Sequence, residues 1–256
     1  MNILITGATS GLGSALAISY AELGNTLFLT GRNQKKLDHI TQICQLKQAN
    51  VISKIIDIKD SEVVRSWINQ IGAEFRLDLV IANAGISAGT SSGSESEFQI
   101  KEIFSTNIDG VLNTINPAIA IMQCQIKNPS YKGQIAIISS LAGFRGLPSS
   151  PAYSASKACV RVYSEALRGS LAPLGIAVNV VCPGYIKTPM TDVNDFYMPF
   201  LMSADKAAQI IKKSLAANKS RIAFPFPLYF LVWILTLIST TITDPIFAKL
   251  PKKKSL

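Results

Sequence analysis

Histidine is nearly missing from this chain: among 256 residues there is one, His39. It lies in a polar stretch apart from every motif described below, which argues against imidazole acid–base chemistry. Cysteine is scarce too. Cys44, Cys124, Cys159 and Cys182 are dispersed with no CxxC spacing, so neither a zinc site, nor any other metal site, nor a disulfide framework is indicated, and a reducing, cytoplasmic compartment is expected. Acidic residues are few, 16 against 25 Lys plus Arg, for a formal charge of +9. Part of that excess belongs to the tail, where Lys249, Lys252, Lys253 and Lys254 cluster. A basic balance suits phosphate-bearing ligands or anionic lipid, but no Arg-rich run interleaves with aromatics and no nucleic-acid module is visible, so nucleic acid is not an expected partner. No internal repeat appears. No signal peptide is expected either, since the apolar run Asn2-Ile3-Leu4-Ile5-Thr6 begins almost at once.

What is present is apolar: 48% of residues are hydrophobic and 16% charged, enough for one large α/β domain. Runs of strand length at 2–6, 26–30, 51–56, 77–82, 134–139 and 176–182 alternate with helical patterns at 12–23, 34–48, 60–73, 97–126 and 152–172. Regular alternation predicts βαβ units and a doubly wound parallel sheet with helices on both faces. Residues 1–220 are expected to form that single domain. Gly89-Thr90-Ser91-Ser92-Gly93-Ser94 reads as a polar loop, and 185–203, rich in Met, Phe, Tyr and Pro, as a mobile flap over a pocket. Cys159 and Cys182 read as small core residues.

Thr6-Gly7-Ala8-Thr9-Ser10-Gly11-Leu12-Gly13 follows the first strand and opens a helix, the context of a dinucleotide-binding turn. Gly7 permits the tight turn, Gly11 close approach to a pyrophosphate, and Gly13 close helix packing, while the helix N-terminus offers N–H groups to the anion. The second strand ends in Leu29-Thr30-Gly31-Arg32-Asn33. An NAD site usually places an acid here; Arg32 instead offers a guanidinium to a 2′-phosphate. NADP(H) is therefore the preferred cofactor, with NAD(H) left open. Tyr153 and Lys157, four apart, share one face of a predicted helix, and Ser140 follows the strand Ile135-Ala136-Ile137-Ile138 at the end where ligands sit in parallel sheets. A phenol with a pKa near 10 needs a cation nearby to serve as acid or base, and Lys157 can supply it.

Here the sequence resembles the short-chain dehydrogenase/reductase family, through residues 2 to about 190. The marks are Thr6-Gly-x-x-x-Gly11-x-Gly13, Asn83-Ala84-Gly85, Asn107, Ser140, Tyr153-x-x-x-Lys157 and Pro183-Gly184; Ala82 departs from the usual asparagine before Asn-Ala-Gly. The resemblance implies a Rossmann-type fold and an NAD(P)(H)-dependent oxidoreductase acting on CH–OH or C=O groups. It implies that Tyr153 protonates the carbonyl oxygen, that Ser140 hydrogen-bonds it, that Lys157 holds the nicotinamide ribose and lowers the Tyr153 pKa, and that Asn107 positions a relay water. By the same likeness Thr9, Ser10 and Leu12 belong to the cofactor turn, Asp57 meets the adenine, Asn83, Ala84 and Gly85 line the adenosine side, and Pro183, Gly184, Ile186 and Thr188 line the nicotinamide side.

Residues 221–256 form an apolar C-terminal segment with a basic tail, expected to be a helical extension. Between Arg221 and Asp244 lie 22 uncharged residues, but Pro225 and Pro227 cut the start and several threonines dilute the end, so a spanning helix is not convincing. A helix lying at the cytoplasmic face of a membrane fits better, with Tyr229 and Trp233 at headgroup level and the lysines on anionic lipid. Some members of the family reduce long-chain 3-oxo lipids, 3-ketodihydrosphingosine among them, and carry apolar segments late in the chain. The reading is an NADPH-dependent reductase of a lipophilic ketone. Two alternatives stay open: a soluble enzyme for a small ketone or alcohol, using 222–243 for a dimer or tetramer, and a non-catalytic NADP-binding sensor.

Overall fold

The computed structural model describes residues 1–90, 93–126, 132–249, 251 and 253–255. Ser91 and Ser92 of the polar loop and Lys252 of the tail lie outside them. Seven parallel strands form one sheet in the order β3-β2-β1-β4-β5-β6-β9: β1 (Asn2–Thr6), β2 (Thr26–Gly31), β3 (Asn50–Ile55), β4 (Leu79–Ala82), β5 (Gly133–Ile138), β6 (Ile176–Pro183) and β9 (Arg221–Phe224). A parallel pair β7 (Ile186–Lys187) and β8 (Met202–Ser203) stands apart.

Alternate residues of each central strand feed two separate cores. Ile3, Ile5, Leu27, Leu29, Leu79 and Ile81 face one layer, where α1 (Gly11–Tyr20), α2 (Gln34–Leu46) and α8 (Ala204–Ala216) pack. Leu4, Phe28, Val80, Ala82, Ile135 and Ile137 face the other, where α3 (Ser61–Glu74), α5 (Gly110–Gln125) and α6 (Pro151–Leu171) pack. Cover on both faces is why these strands read as unbroken apolar runs and not as alternating ones. The strand order turns outward in both directions from β1 and β4, and at such a switch point the loops leaving the carboxyl ends part to form a crevice.

Four local expectations are revised. The helix expected over 97–126 is α4 (Glu97–Phe104), a π turn (Ser105–Asp109) and α5. Residues 185–203, expected as a mobile flap over a pocket, hold the β7–β8 pair and the short α7 (Pro189–Asp192), which starts at a Thr188–Thr191 capping box. The segment drawn from 221 begins inside the sheet, because β9 pairs with β6 from Val180↔Arg221 to Pro183↔Phe224. Beyond it come two helices, α9 (Phe226–Leu237) and α10 (Thr240–Phe247), not one. Among the described residues no helix is long and apolar enough to cross a membrane. Cys159, expected in the core, is exposed on α6, whereas Cys182 is buried; α6 is amphipathic, and Cys159 lies toward its solvent side with Val162 and Tyr163.

Candidate active site

The crevice beyond β1, β2, β4, β5 and β6 is a cleft of about 350 Å³. Its floor is the glycine turn. Gly7 and Gly11 take φ of +68° and +56°, which a side chain with a Cβ adopts only under strain. A Cβ on Gly13 would stand 2.1 Å from the Gly7 carbonyl oxygen and 2.5 Å from Asn83 Nδ2, so the first turn of α1 lies directly on the loop. Asn83 closes the contact by donating from Nδ2 to the Thr6 carbonyl at 2.9 Å. Ser10 caps α1 without a side-chain hydrogen bond and no acid sits in its first turn, leaving N–H groups and a positive dipole end open to a phosphate. These features fit a dinucleotide: a loop free of side chains where a pyrophosphate approaches, beside a helix end that favours anions.

The structure brings all the expected cofactor residues to this one cleft. Thr9, Ser10 and Leu12 line the turn; Arg32 and Asp57 follow β2 and β3; Ala84 and Gly85 follow β4; Pro183, Gly184, Ile186 and Thr188 follow β6. Arg32 is 60% exposed with its guanidinium 4.0 Å from Asp57, and an Asp57 oxygen accepts from the Lys59 amide at 3.0 Å. Lys36 also lines this end. Sequence reasoning missed it, although Asn33, which caps α2 by accepting from the Lys36 amide, marks where the first turn of that helix must face.

At the other end, β5, α6 and the π turn bring together the four candidate reacting residues. Lys157 is buried and its Nζ donates to the Ile138 carbonyl at 3.0 Å. Ser139 ties the same strand to α6 by donating to the Lys157 carbonyl at 2.7 Å. One turn earlier lies Tyr153, whose ring centroid is 5.9 Å from Lys157 Nζ and which lines the cleft together with Ser140. Asn107 sits in the π turn, fully buried. Its Oδ1 accepts from the Ile86 amide at 2.8 Å, and its Nδ2 donates to the Ile86 carbonyl at 2.9 Å and to Ser156 Oγ at 3.0 Å. A Cβ on Gly85 would lie 3.1 Å from Asn107 Oδ1 and 3.3 Å from Lys157 Nζ, so glycine keeps the space between amide and ammonium open.

Burial governs the electrostatics. It pulls the Lys157 ammonium down to about 8, with the nearby Cys182 opposing. The Tyr153 phenol is pushed up by burial, with the Ser140 hydrogen bond pulling down and Tyr185 adding to the rise. Burial is thus the largest influence on Tyr153, and a cation beside the phenol acts in the opposite sense.

A second, smaller cleft of about 180 Å³ adjoins at Ser140, Tyr153 and Gly184. Its walls are mostly apolar: Leu141 and Leu147, Phe196 of the 185–203 segment, Leu228 and Val232 of α9, and Phe247 of α10. A nucleotide-shaped crevice ending in a tyrosine–lysine pair, opening sideways into an apolar pocket, defines a nicotinamide-dependent oxidoreductase.

The comparisons agree. The short chain dehydrogenase model matches residues 1–195, and the chain belongs to that family. It is 32% identical over 245 residues to an uncharacterised oxidoreductase of Myxococcus xanthus, covering 95% of this chain and 93% of that one. A short chain dehydrogenase of Mycobacterium paratuberculosis bound to NAD has a TM-score of 0.76 at 22% identity, covering 87% of this chain and 95% of that one. A short-chain dehydrogenase of Sphingobium yanoikuyae in complex with NADPH has a TM-score of 0.78 at 21% identity, covering 100% and 98%. At those identities the two structures bear on the fold alone.

The buried Lys157 has a measurable consequence. Unfolded, a lysine titrates near 10.4; folded, this one titrates at about 8. Between those values the unfolded chain binds the extra proton, so the contribution of Lys157 to stability rises with pH from about 8 to about 10 and is unfavourable below. Urea unfolding at pH 8 and 9.5 should show a smaller rise in Lys157→Met than in the parent, and equal slopes would contradict burial as the controlling effect.

Proposed function

We propose that the protein reduces the carbonyl of a lipophilic ketone or 3-oxoacyl compound with NADPH. Bound NADPH supplies the hydride. Tyr153 delivers a proton to the carbonyl oxygen while the Ser140 hydroxyl hydrogen-bonds that oxygen, and Lys157 holds the nicotinamide ribose and favours the ionised phenol that proton delivery leaves behind. Asn107 keeps one Oδ1 lone pair beyond its bond from Ile86, and with it orients a water that restores the proton. The observation that carries the choice of substrate is the apolar pocket at Tyr153, which offers Leu141, Leu228, Val232 and Phe247 to a hydrocarbon chain. Arg32 and Lys36, both lining the cleft beyond β2, support NADPH, since two cations suit a 2′-phosphate dianion; NAD(H) is the alternative cofactor.

NADPH oxidation with decan-2-one and butanone tests the reading. Decan-2-one should be the better substrate by kcat/KM, and Arg32→Ala should raise KM for NADPH by about tenfold or more, as loss of a charged hydrogen bond does, while KM for NADH stays within about twofold. Equal use of both ketones would favour the soluble enzyme for small carbonyls, and NADPH binding without any ketone reduction would favour the sensor.

Helix α9 supports association with the cytoplasmic face of a membrane. Leu228 and Val232 line the pocket, while Phe226, Phe230, Leu231 and Leu237 are exposed and the Phe226, Phe230 and Trp233 rings stack at 5.9 and 6.2 Å. An exposed apolar face of this kind, in a C-terminal segment that also carries the exposed Lys249 and Lys254, matches an anionic interface, and a lipid ketone would then reach the pocket from the bilayer. The protein should co-sediment with phosphatidylcholine–phosphatidylglycerol vesicles, and Phe230→Ser with Leu231→Ser should release it. A parent that ignores vesicles but forms a dimer or tetramer, lost in the same double variant, would assign the face to another copy of the chain.

A further inference from the structure

Two features outside the four reacting residues meet beside the substrate pocket: Gly89, which begins the polar loop, and the tail residue Lys253, which has no carboxylate paired with it among the described residues. The tail returns across the molecule after α10. Arg145 anchors that helix, pairing with Asp244 at 2.7 Å and lying 4.9 Å over the Phe247 ring. The Gly89 amide then donates to the Lys254 carbonyl at 2.6 Å. A Cβ on Gly89 would stand 2.4 Å from Lys253 Cβ, so this loop glycine is what lets the tail close in. Lys254 faces Asp195 of the 185–203 segment at 3.9 Å, and the tail thus bridges two walls of the pocket.

Lys253 consequently points inward, not toward lipid. Its Nζ donates to Ser87 Oγ at 2.7 Å and lies 5.8 Å from the Tyr153 ring centroid. An ammonium has three donors, and among the described residues Ser87 is the one hydrogen-bond acceptor it reaches and no carboxylate pairs with it. Burial pulls it down to about 8, as happens to a cation short of counter-charge, and at neutral pH it stays mostly protonated. The same pocket holds the buried Arg145 Nε, a donor with no hydrogen-bond partner among the described residues. A pocket with apolar walls, an unpaired ammonium and a free guanidinium N–H is built for an amphiphile with a negative head.

We propose that Lys253 is a specificity-determining residue that binds a carboxylate of the substrate, so that the substrates are lipophilic oxo-acids with the carboxylate a few bonds from the carbonyl. The proposal rests on the carbonyl-reductase reading, but its test does not need turnover. Decanoate and decan-2-one are titrated calorimetrically into the full-length protein with NADP⁺ present. Lys253→Gln should weaken decanoate by about tenfold or more, the scale of a lost charged hydrogen bond, and leave decan-2-one within about twofold. Lys253→Arg should retain decanoate, and Lys213→Gln, exposed on α8 and outside the pocket, should leave both unchanged. Absent decanoate binding by the parent, equal decanoate affinities in parent and Lys253→Gln, or equal losses for both probes, would each overturn it. Failure to reduce any ketone, with the decanoate difference intact, would count against the reductase reading alone.

Discussion

Burying an ammonium without a carboxylate costs several kcal/mol, and the buried Lys157 is the constraint around which the catalytic end of the molecule is arranged. Its one described acceptor is a strand-end carbonyl, that of Ile138. To present that carbonyl, β5 must end where α6 crosses it, and Ser139 fixes the crossing from the strand side. The turn Leu141–Gly143 lies against the same place, where a Cβ on Gly143 would come within 2.8 Å of the Lys157 carbonyl carbon and oxygen. With α6 locked at this height, Tyr153 falls one turn nearer the crevice, which it lines together with Ser140. The π turn does the corresponding work on the far side, turning Asn107 inward to clamp the backbone of Ile86; such irregular turns recur where a helix carries function.

The opposite end answers to a different demand. Anions are to be held there without burying protein charge, so the chain uses backbone: a side-chain-free loop, a helix N-terminus and two solvent-facing cations. The pocket between these ends is walled late in the sequence, by α9, α10 and the returning tail. The helix α9 has the pocket on one side, at Leu228 and Val232, and exposed apolar residues on the other.

Much of this was readable from sequence because the signals are local. Strands buried on both faces are continuous apolar runs, and a glycine turn between strand and helix has no other economical use. Tyr153 and Lys157 share a helix, so their spacing is their geometry. The rest depends on contacts distant in sequence. Strand β9 is four residues with one flank charged, indistinguishable from the start of an apolar tail until β6 is seen beside it. Lys253 reads as one of a cluster of surface lysines, and only the return of the chain past Gly89 brings it to the pocket. Lys36 belongs to no motif, and only the end of β2 placed next to the cleft shows that it lines it.

The central claim is that Tyr153, supported by Lys157, transfers the proton. Single-turnover NADPH oxidation with decan-2-one, comparing the parent with Tyr153→Phe, tests it most directly, with NADPH binding followed separately by fluorescence. The account predicts a fall in rate of about 10²–10⁴, the range of a general acid, with NADPH affinity unchanged. A variant that keeps its rate within about threefold, or that loses rate only because NADPH no longer binds, would contradict it.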